Sequence, residues 1–243
     1  MKKQFIILIL SVIIALLPIF SSQTSAASTS IEKQLSLLKG GISQVVIVTT
    51  PKIKSRTAVV TLYQKQNGVW KKAYGDMHGL VGKNGISSVK KEGDGKTPKG
   101  VFSLTTSFGT DPMPTGTKIP YKRVNKNFYW VDDVKSKDYN KMIYYRGNPN
   151  NKWNSYERLT HRLYSHAIVV NYNTNPIVKG KGSAIFLHTR DGSTKYTLGC
   201  VAMYKGHVKM LLQKLDPKLK PHIIISESGK VNSTIKHFAG LQK

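Results

Sequence analysis

A single cysteine and a nearby histidine are the residues of this sequence best suited to do chemistry together. Cys200 is the only cysteine in the 243-residue chain, and His188 lies twelve positions before it. A free thiol ionises at a pH of about 8.5, and an imidazole close to it can take its proton and orient its attack. The pair indicates a cysteine nucleophile with a histidine base. The alternative is an inert cysteine in the core, which is the commoner fate of a lone cysteine.

The residues around the cysteine predict a turn that presents its side chain. Gly199 allows the backbone to approach a substrate closely, and the Thr197 hydroxyl can hydrogen-bond to the backbone nearby. Residues 204–215 follow, with apolar side chains at helical spacing. We therefore expect an exposed nucleophile just before a helix. The first N–H groups of that helix would favour the thiolate and could hold an oxyanion.

Composition describes a folded but very basic protein. Hydrophobic residues make up 40% of the chain, which is ordinary for a globular domain. The 38 Lys and Arg exceed the 12 Asp and Glu, which gives a net charge of +26. A field of this sign attracts polyanions. The basic residues lack the interleaved aromatic side chains and motifs of nucleic-acid binders, so we expect no nucleic acid as partner.

The first residues of the chain predict export. Two lysines precede an apolar run over 5–20, and small residues follow as far as Ala26. This order is typical of a secretory signal peptide over 1–26, and a retained membrane anchor is the alternative. Removal of the peptide would leave no stable membrane span. It would lower the net charge to +24, because only Lys2 and Lys3 are lost with it.

Strand signals dominate the rest of the sequence. Runs of β-branched and aromatic residues predict strands, and the dipeptide Asn67-Gly68 predicts a hairpin between two of them. The predicted strands are 45–50, 58–65, 69–75, 100–109, 128–133, 166–172, 183–188 and 222–226. The fold class that follows is mainly β with few short helices.

Only a little of the chain is predicted to be helical. A helical segment is expected within 27–43, and a short helix around 156–163 in a polar stretch that would form a lid or wall. No repeat or linker marks a second domain. We therefore expect one domain over 44–230, a C-terminal tail over 231–243 and a monomer.

Four segments together resemble a known family. They are EGDGKTPKGVFSL at 92–104, WVDDVKSKDYNKM at 130–142, HAIVVNYN at 166–173 and GSAIFLHTRDGSTKYTLGCVAM at 182–203. This ordered series resembles the L,D-transpeptidase catalytic domain of bacterial cell-wall enzymes, over roughly residues 44–227. The resemblance implies a β-sandwich or barrel, a cysteine nucleophile and peptidoglycan stem peptides as substrate, with no metal or cofactor.

The resemblance also implies roles for single residues. Cys200 matches the nucleophile and His188 its general base, with the carbonyl of Thr189 as the third member. Gly199 and Cys200 would supply oxyanion N–H groups, and Thr197 matches the Ser/Thr that opens the cysteine motif. The sequence departs from many members at Leu198, where they have histidine. It also departs at Ala202 and in the short gap between histidine and cysteine, and these departures bear on the choice of acceptor.

Other polar residues have weaker assignments. Arg190, two residues after the histidine, could hold a substrate carboxylate, or it could be a solvated loop residue. His166 could line the substrate pocket, or it could be a structural histidine. His161, His166 and Cys200 are not spaced as a ligand set, so we expect no metal.

Three functions remain open at this point. Attack of the acyl-enzyme by a stem-peptide amine would make 3-3 cross-links, and attack by water would make the protein an L,D-carboxypeptidase. A non-catalytic wall-binding module is the third possibility. The positive charge favours retention on an anionic wall polymer, so we expect a secreted, cell-wall-associated protein whose lysines, among them Lys90 and Lys91, are mostly on the surface.

We predict that Cys200→Ala abolishes turnover of a stem peptide and leaves the melting temperature nearly unchanged, because an exposed nucleophile contributes little to packing. His188→Ala should lose nearly as much activity, since base and nucleophile act as a unit and their losses do not add. Turnover assays and thermal melts of both variants measure this. A twofold loss in His188→Ala would point to another base, and His166 would be tested next.

Overall fold

Extended segments build most of residues 31–242, the part of the chain that the computed structural model describes. The predicted signal peptide, 1–26, lies outside these residues. The strands are β1 (Gln44–Thr50), β2 (Thr57–Gln66), β3 (Val69–Leu80), β4 (Ile86–Ser87), β5 (Thr97–Pro98), β6 (Gly100–Ser103), β7 (Ser107–Gly109), β8 (Tyr121–Arg123), β9 (Phe128–Val131), β10 (Lys141–Tyr144), β11 (Tyr156–Arg158), β12 (Ala167–Val169), β13 (Phe186–Arg190), β14 (Val201–Tyr204) and β15 (His222–Glu227). The predicted mainly β fold is confirmed.

Ten of the strands form one mixed sheet. Their order is β6-β15-β1-β2-β3-β14-β13-β12-β7-β8. The pairs β1/β15, β13/β14 and β7/β8 are parallel, and the remaining neighbours are antiparallel. A three-stranded sheet, β10-β9-β11, and the short pair β4-β5 complete the described strands. β13 and β14, which carry the histidine and follow the cysteine, therefore lie well inside the large sheet.

Helices are few and cover the large sheet. They are α1 over 31–35, α2 (Lys205–Lys214) and α3 (Val231–Leu241), with short 3-10 turns at Pro149–Asn151, Pro217–Leu219 and Ser228–Lys230. α2 buries Val208, Leu211 and Leu212 at the helical spacing read from the sequence. The residues taken as a C-terminal tail include α3, which buries Val231 and Ile235. Within 31–242, no helix is long and apolar enough to cross a membrane.

The Asn67-Gly68 hairpin forms as predicted between β2 and β3. Both residues have positive φ, 49° and 81°. A two-residue turn of this kind matches the twist of the flanking strands, and asparagine and glycine tolerate the conformation best. The turn therefore sets the register of the two longest strands in the sheet.

Three local predictions were wrong, two because pairing with distant strands overrides the local pattern and one because of a local backbone conformation. The single strand expected over 100–109 is two strands on opposite parts of the sheet, β6 beside β15 and β7 beside β12. The helix expected around 156–163 is absent from the described chain, where Tyr156 begins β11 and pairs with Val131 of β9. The strand expected from 183 starts only at Phe186, because Ala184 has a φ of +53° that an extended strand does not permit.

Packing against the large sheet creates two distinct environments around β13 and β14. Leu187, Val201 and Met203 belong to the main apolar core together with the buried face of α2. Phe186 and Cys200 belong to a second cluster, which includes Trp130 from the three-stranded sheet. The three-stranded sheet thus covers the face of the large sheet that carries the cysteine.

Candidate active site

The parallel register of β13 and β14 brings the histidine and the cysteine to one face of the sheet. Leu187 pairs with Val201, and His188 pairs with Ala202. Side chains alternate between the two faces of a strand. Leu187 points into the main core, so its neighbour His188 points to the opposite face of the sheet. Cys200, one residue before Val201, is directed to the same face as His188. A spacing of twelve residues in sequence becomes adjacency across two strands.

Two threonine hydroxyls hold the backbone of the cysteine. Thr197 Oγ1 donates to the Cys200 carbonyl at 2.6 Å, and Thr97 Oγ1 donates to the same oxygen at 3.1 Å. Thr97 Oγ1 in turn accepts from the Gly82 N–H at 2.9 Å. Thr97 lies in the segment 92–104 that resembles the family, and no role was expected for it from the sequence. The structure makes Thr97 a link between the 82–97 loop and the cysteine.

Gly199 has a conformation that few other residues could adopt. Its φ is +154°, and an added Cβ would lie 3.1 Å from the Lys96 carbonyl oxygen. Its N–H donates to Thr197 Oγ1 at 3.1 Å. The Gly199 N–H, expected to hold an oxyanion, is therefore engaged with the threonine. It would have to turn from Thr197 toward a substrate to serve that role.

Cys200 is buried, which corrects the expectation of an exposed nucleophile and removes the reason given for an unchanged melting temperature in Cys200→Ala. Cys200 is 7% exposed. Its sulfur accepts a hydrogen bond from the Phe186 N–H at 3.3 Å and donates one to the Ala184 carbonyl at 3.2 Å. Burial raises the pKa of the Cys200 thiol well above its usual range, and the nearby Glu157 carboxyl adds to the effect. The thiol is protonated at neutral pH.

The expected contribution of a helix to the thiolate was also wrong. The four residues of β14 separate Cys200 from Lys205, where α2 begins. A strand of this length spans roughly 13 Å at about 3.3 Å per residue. The first N–H groups of α2 are therefore too distant to act on the sulfur, because the effect of a helix end fades within about one turn.

An asparagine from the three-stranded side of the molecule holds the segment that contacts the thiol. Asn140 Oδ1 accepts from the Ala184 N–H at 3.1 Å and from Trp130 Nε1 at 2.9 Å. Its Nδ2 donates to the carbonyls of Tyr172 and Asn173 at 3.1 and 2.7 Å. A buried amide with both ends satisfied fixes its neighbours firmly. Asn140 therefore stabilises the positive φ of Ala184, whose carbonyl accepts from Cys200.

His188 is buried and neutral. Its Nδ1 lies 2.7 Å from the Thr189 carbonyl oxygen, which can only accept, so Nδ1 carries the proton and Nε2 is left as the basic nitrogen. The Tyr164 ring packs edge-on against the imidazole with 5.2 Å between centroids. Burial lowers the pKa of His188 to about 4. An imidazole that is neutral at pH 7 can accept a proton from a thiol.

The cysteine and the histidine are not hydrogen-bonded to each other in this structure. Among residues 31–242, the sulfur contacts only the backbone of Phe186 and Ala184 through hydrogen bonds. The site is thus an uncharged thiol and an uncharged imidazole rather than a preformed ion pair. Deprotonation of Cys200 would have to accompany its attack on a substrate.

A cavity of about 650 Å³ opens beside both residues, and its walls come from four parts of the chain. The lining is Lys90, Glu92, Gly93, Asp132, Glu157, Arg158, Thr160, His161, Leu163, Tyr164, Ser183, Ala184, Ile185, His188, Thr194, Tyr196, Thr197, Leu198, Gly199 and Cys200. The stretch 135–163, read from the sequence as a lid or wall, supplies part of one side. The size suits a peptide-sized ligand.

The glycine-rich loop before Thr97 is built around a buried lysine, which corrects the surface position expected for Lys90. The Lys90 side chain is only 3% exposed, and its Nζ lies 2.8 Å from Asp94 Oδ1. Although burial acts against it, hydrogen bonds from Lys90 and from the backbone of Lys91 and Lys96 lower the pKa of Asp94. The ammonium is also the one nearby positive charge that lowers the pKa of Cys200. Because lysines are common throughout this chain, no sequence pattern indicated that Lys90 would be buried beside the cavity.

The structure does not bring Arg190 and His166 to the cavity that contains Cys200. Arg190 donates to His78 Nδ1 at 3.2 Å and stacks over the Tyr204 ring. His166 Nε2 contacts the Pro112 carbonyl oxygen at 3.2 Å in the buried interior. The substrate-binding roles considered for both residues have no support from their positions.

Residues 31–242 contain no group of three or more His, Cys, Asp or Glu side chains placed to hold a metal ion.

We predict that Cys200 is alkylated slowly at neutral pH. Because burial raises the pKa of the thiol, the thiolate fraction should rise about tenfold for each pH unit from 7 to 10. The measurement is the rate of iodoacetamide labelling by mass spectrometry, with glutathione as a control thiol and circular dichroism to confirm folding at each pH. A labelling rate that levels off below pH 8 would show a preformed thiolate and contradict this description.

Comparison with known proteins gives the chain a family. Its residues 44–224 match the YkuD family, described as the L,D-transpeptidase catalytic domain. No curated protein sequence matches the chain. A solved L,D-transpeptidase from Mycobacterium smegmatis is similar with a TM-score of 0.34 and 15% identity, over 75% of this chain and 58% of that protein. Because the family match covers most of the sequence, the protein belongs to the L,D-transpeptidase catalytic-domain family.

Proposed function

We propose that this protein is a peptidoglycan L,D-transpeptidase that works through an acyl-enzyme on Cys200. The observation that supports the proposal is the placement of Cys200 and His188 on one face of the β13/β14 pair, beside a peptide-sized cavity. Family membership supplies the class of enzyme. The roles of Cys200 and His188 and the peptidoglycan substrate are what we propose in addition.

Acylation follows from the protonation states of the two residues. The neutral Nε2 of His188 takes the thiol proton as Cys200 sulfur attacks the carbonyl carbon of the amide between a diamino acid and the terminal D-alanine. The resulting imidazolium gives that proton to the D-alanine nitrogen, and the C–N bond breaks. D-Alanine leaves, and a thioester joins the stem to Cys200. The Thr189 carbonyl holds the imidazole of His188 in the tautomer that these reaction steps require.

The second half of the reaction decides between two activities. An amine from another stem attacks the thioester and makes a 3-3 cross-link in a transpeptidase, whereas water attacks it in an L,D-carboxypeptidase. The transpeptidase is preferred because a cavity of about 650 Å³ has room for more than a water molecule next to Cys200. A non-catalytic wall-binding module would keep the fold and the surface charge without either reaction.

The reaction is tested with the purified protein and disaccharide tetrapeptides. We expect D-alanine release, a mass increase on Cys200 equal to the acyl group, and dimers joined by 3-3 links, all detected by mass spectrometry. Cys200→Ser is the matched variant, since it keeps the volume of the buried side chain and should lose most of the turnover. Intact tetrapeptides, together with no labelling of Cys200 by a carbapenem, would favour the non-catalytic module.

The second part of the proposal is location: the protein is secreted and held on an anionic cell-wall polymer. The sequence pattern of 1–26 and the net charge support this, and exposed lysines spread over several segments provide the contacts. Examples are Lys52, Lys54, Lys71, Lys179, Lys181, Lys218 and Lys220. Their attraction to phosphate groups acts over a Debye length of about 8 Å at physiological salt.

We predict that the protein sediments with purified walls at low salt and is released by roughly molar salt, because screening removes the attraction between exposed charges. Walls stripped of their phosphate polymers should bind poorly. Turnover of a small soluble stem peptide should change much less with salt, since its chemistry takes place in a buried site. Equal sedimentation with stripped and intact walls would disprove the polymer contact.

A further inference from the structure

The cavity beside Cys200 concentrates negative charge in a strongly basic protein. Glu92, Asp132 and Glu157 all line it, although the whole chain has only 12 acidic residues against 38 basic ones. Carboxyl groups that share a partly buried space raise one another's free energy unless cations or hydrogen bonds offset the repulsion. The concentration of these groups beside the candidate nucleophile therefore needs an explanation in terms of what enters the cavity.

The two strong cations of the lining are already engaged with other partners. Lys90 is paired with Asp94. The Arg158 guanidinium lies over the rings of Tyr129 and Tyr156, at 5.4 and 5.6 Å from their centroids. Across the described residues, no salt bridge joins either cation to one of the three carboxyls. A cation from a ligand would complete the charge balance of the cavity.

Glu92 differs from the other two carboxyls because the protein already satisfies it. Its Oε2 accepts from the Tyr139 hydroxyl at 2.5 Å and from Ser183 Oγ at 2.7 Å, and its Oε1 accepts from the Gly93 N–H. Those contacts tie the glycine-rich loop to the segment before β13. Glu92 is therefore best described as a structural residue of the cavity wall.

Glu157 and Asp132 have hydrogen-bonding capacity left for a ligand. Glu157 Oε2 accepts from the Tyr164 hydroxyl at 2.5 Å, and no hydrogen bond within 31–242 uses its Oε1. Asp132 Oδ1 is buried and has no hydrogen-bond partner among the described residues. Tyr164 also packs against His188. Glu157 is thus connected through one side chain to the candidate base.

We propose that Glu157, supported by the charge of Asp132, binds the side-chain ammonium of the acceptor stem peptide and takes a proton from it, so that the acyl-enzyme is resolved by an amine rather than by water. This inference rests on the proposed function and identifies which partner the second half-reaction uses. The chemical class of the acceptor is a peptide with a primary amine on a flexible side chain.

The proton and electron balance of the step is complete within the site. The acceptor ammonium gives one proton to the Glu157 carboxylate and becomes a neutral amine. Its nitrogen attacks the thioester carbon, the C–N bond forms, and the C–S bond breaks with its electron pair on sulfur. A second amine proton passes through His188 to the sulfur and restores the thiol. The third stays on the new amide, and Glu157 later returns its proton to solvent.

The electrostatics of Glu157 suit it to this role. Burial raises the pKa of Glu157 to about 7, and the charges of Asp132 and Glu92 contribute further. A carboxylate with a raised pKa is a stronger base than an exposed one and holds an ammonium more tightly in a medium of low dielectric constant.

The test is the ratio of two products in Glu157→Gln, which removes the charge and can keep an acceptor for Tyr164. The purified protein is incubated with a tetrapeptide donor that is acetylated on its own side-chain amine. The acceptor is either a stem with a free side-chain amine or the same stem acetylated on that amine. We expect the ratio of dimer to tripeptide to fall about tenfold or more relative to the wild type, because the charge that binds the acceptor ammonium is lost. The acetylated stem should give no dimer with either protein.

Asp76→Asn is the matched control. It removes the same charge from a side chain that is 74% exposed and outside the cavity, so its product ratio should equal that of the wild type. Glu157→Asp, which keeps the charge, should recover part of the ratio. If Glu157→Gln melts well below the wild type, Asp132→Asn replaces it, with a smaller fall in the same ratio expected.

The outcomes separate this inference from the proposed function. An unchanged ratio in Glu157→Gln, or an equal loss of hydrolysis and cross-linking in a variant with a normal melt, overturns the acceptor role. A wild-type protein that releases D-alanine but never forms dimers also overturns it. A wild-type protein that releases no D-alanine and forms no adduct on Cys200 contradicts the proposed function itself.

Discussion

The parallel pairing of β13 with β14 is the constraint on which the rest of the site depends. One residue of slip between these strands would turn every side chain of one strand to the opposite face, and Cys200 would enter the α2 core while His188 stayed in the cavity. The register is protected on both faces. Leu187, Val201 and Met203 are committed to the apolar core under α2. On the other face, the Phe186 N–H contacts the cysteine sulfur.

Around this pair, the structure favours an uncharged resting state. Burial raises the pKa of Cys200 and lowers that of His188, and each shift disfavours the charged form of its group. The surrounding polar groups are instead used to fix positions. Thr97 and Thr197 hold the Cys200 carbonyl, and Asn140 holds the Ala184 segment that accepts from the thiol. The geometry of the candidate site therefore depends on neutral hydrogen bonds, which salt screens little.

Sequence patterns predicted the elements that have strong local signals. The Asn67-Gly68 turn, the apolar spacing of α2 and the strand character of β1, β2 and β15 are readable because the residue types within each segment indicate them. The division of 100–109 into β6 and β7 was not readable, because the two strands have different distant partners. Likewise, β11 exists because β9 is there to pair with it.

The candidate site was predictable to a similar extent. Cys200 and His188 could be found because their residue types and spacing are unusual in this chain. Burial of the cysteine could not be predicted from the sequence, since a turn that contains glycine is normally at the surface. Lys90 was hidden among many other lysines, and its burial depends on Asp94 and on the close approach of Gly182, where an added Cβ would lie 2.7 Å from its side chain. Asn140 was hidden because its four contacts come from three separate segments.

Burial of the thiol also bears on how long the protein stays usable. Peroxides and disulfides react with a thiolate far faster than with a thiol, and a second cysteine that could reverse the damage is missing from the sequence. A side chain that is 7% exposed and kept protonated is a poor target for both oxidants. In the proposed reaction this protection makes the attack on the substrate slower, since the thiol must lose its proton in each cycle. Burial of Cys200 therefore protects the thiol from oxidation, which matters most in the oxidising environment that the proposed secretion would bring.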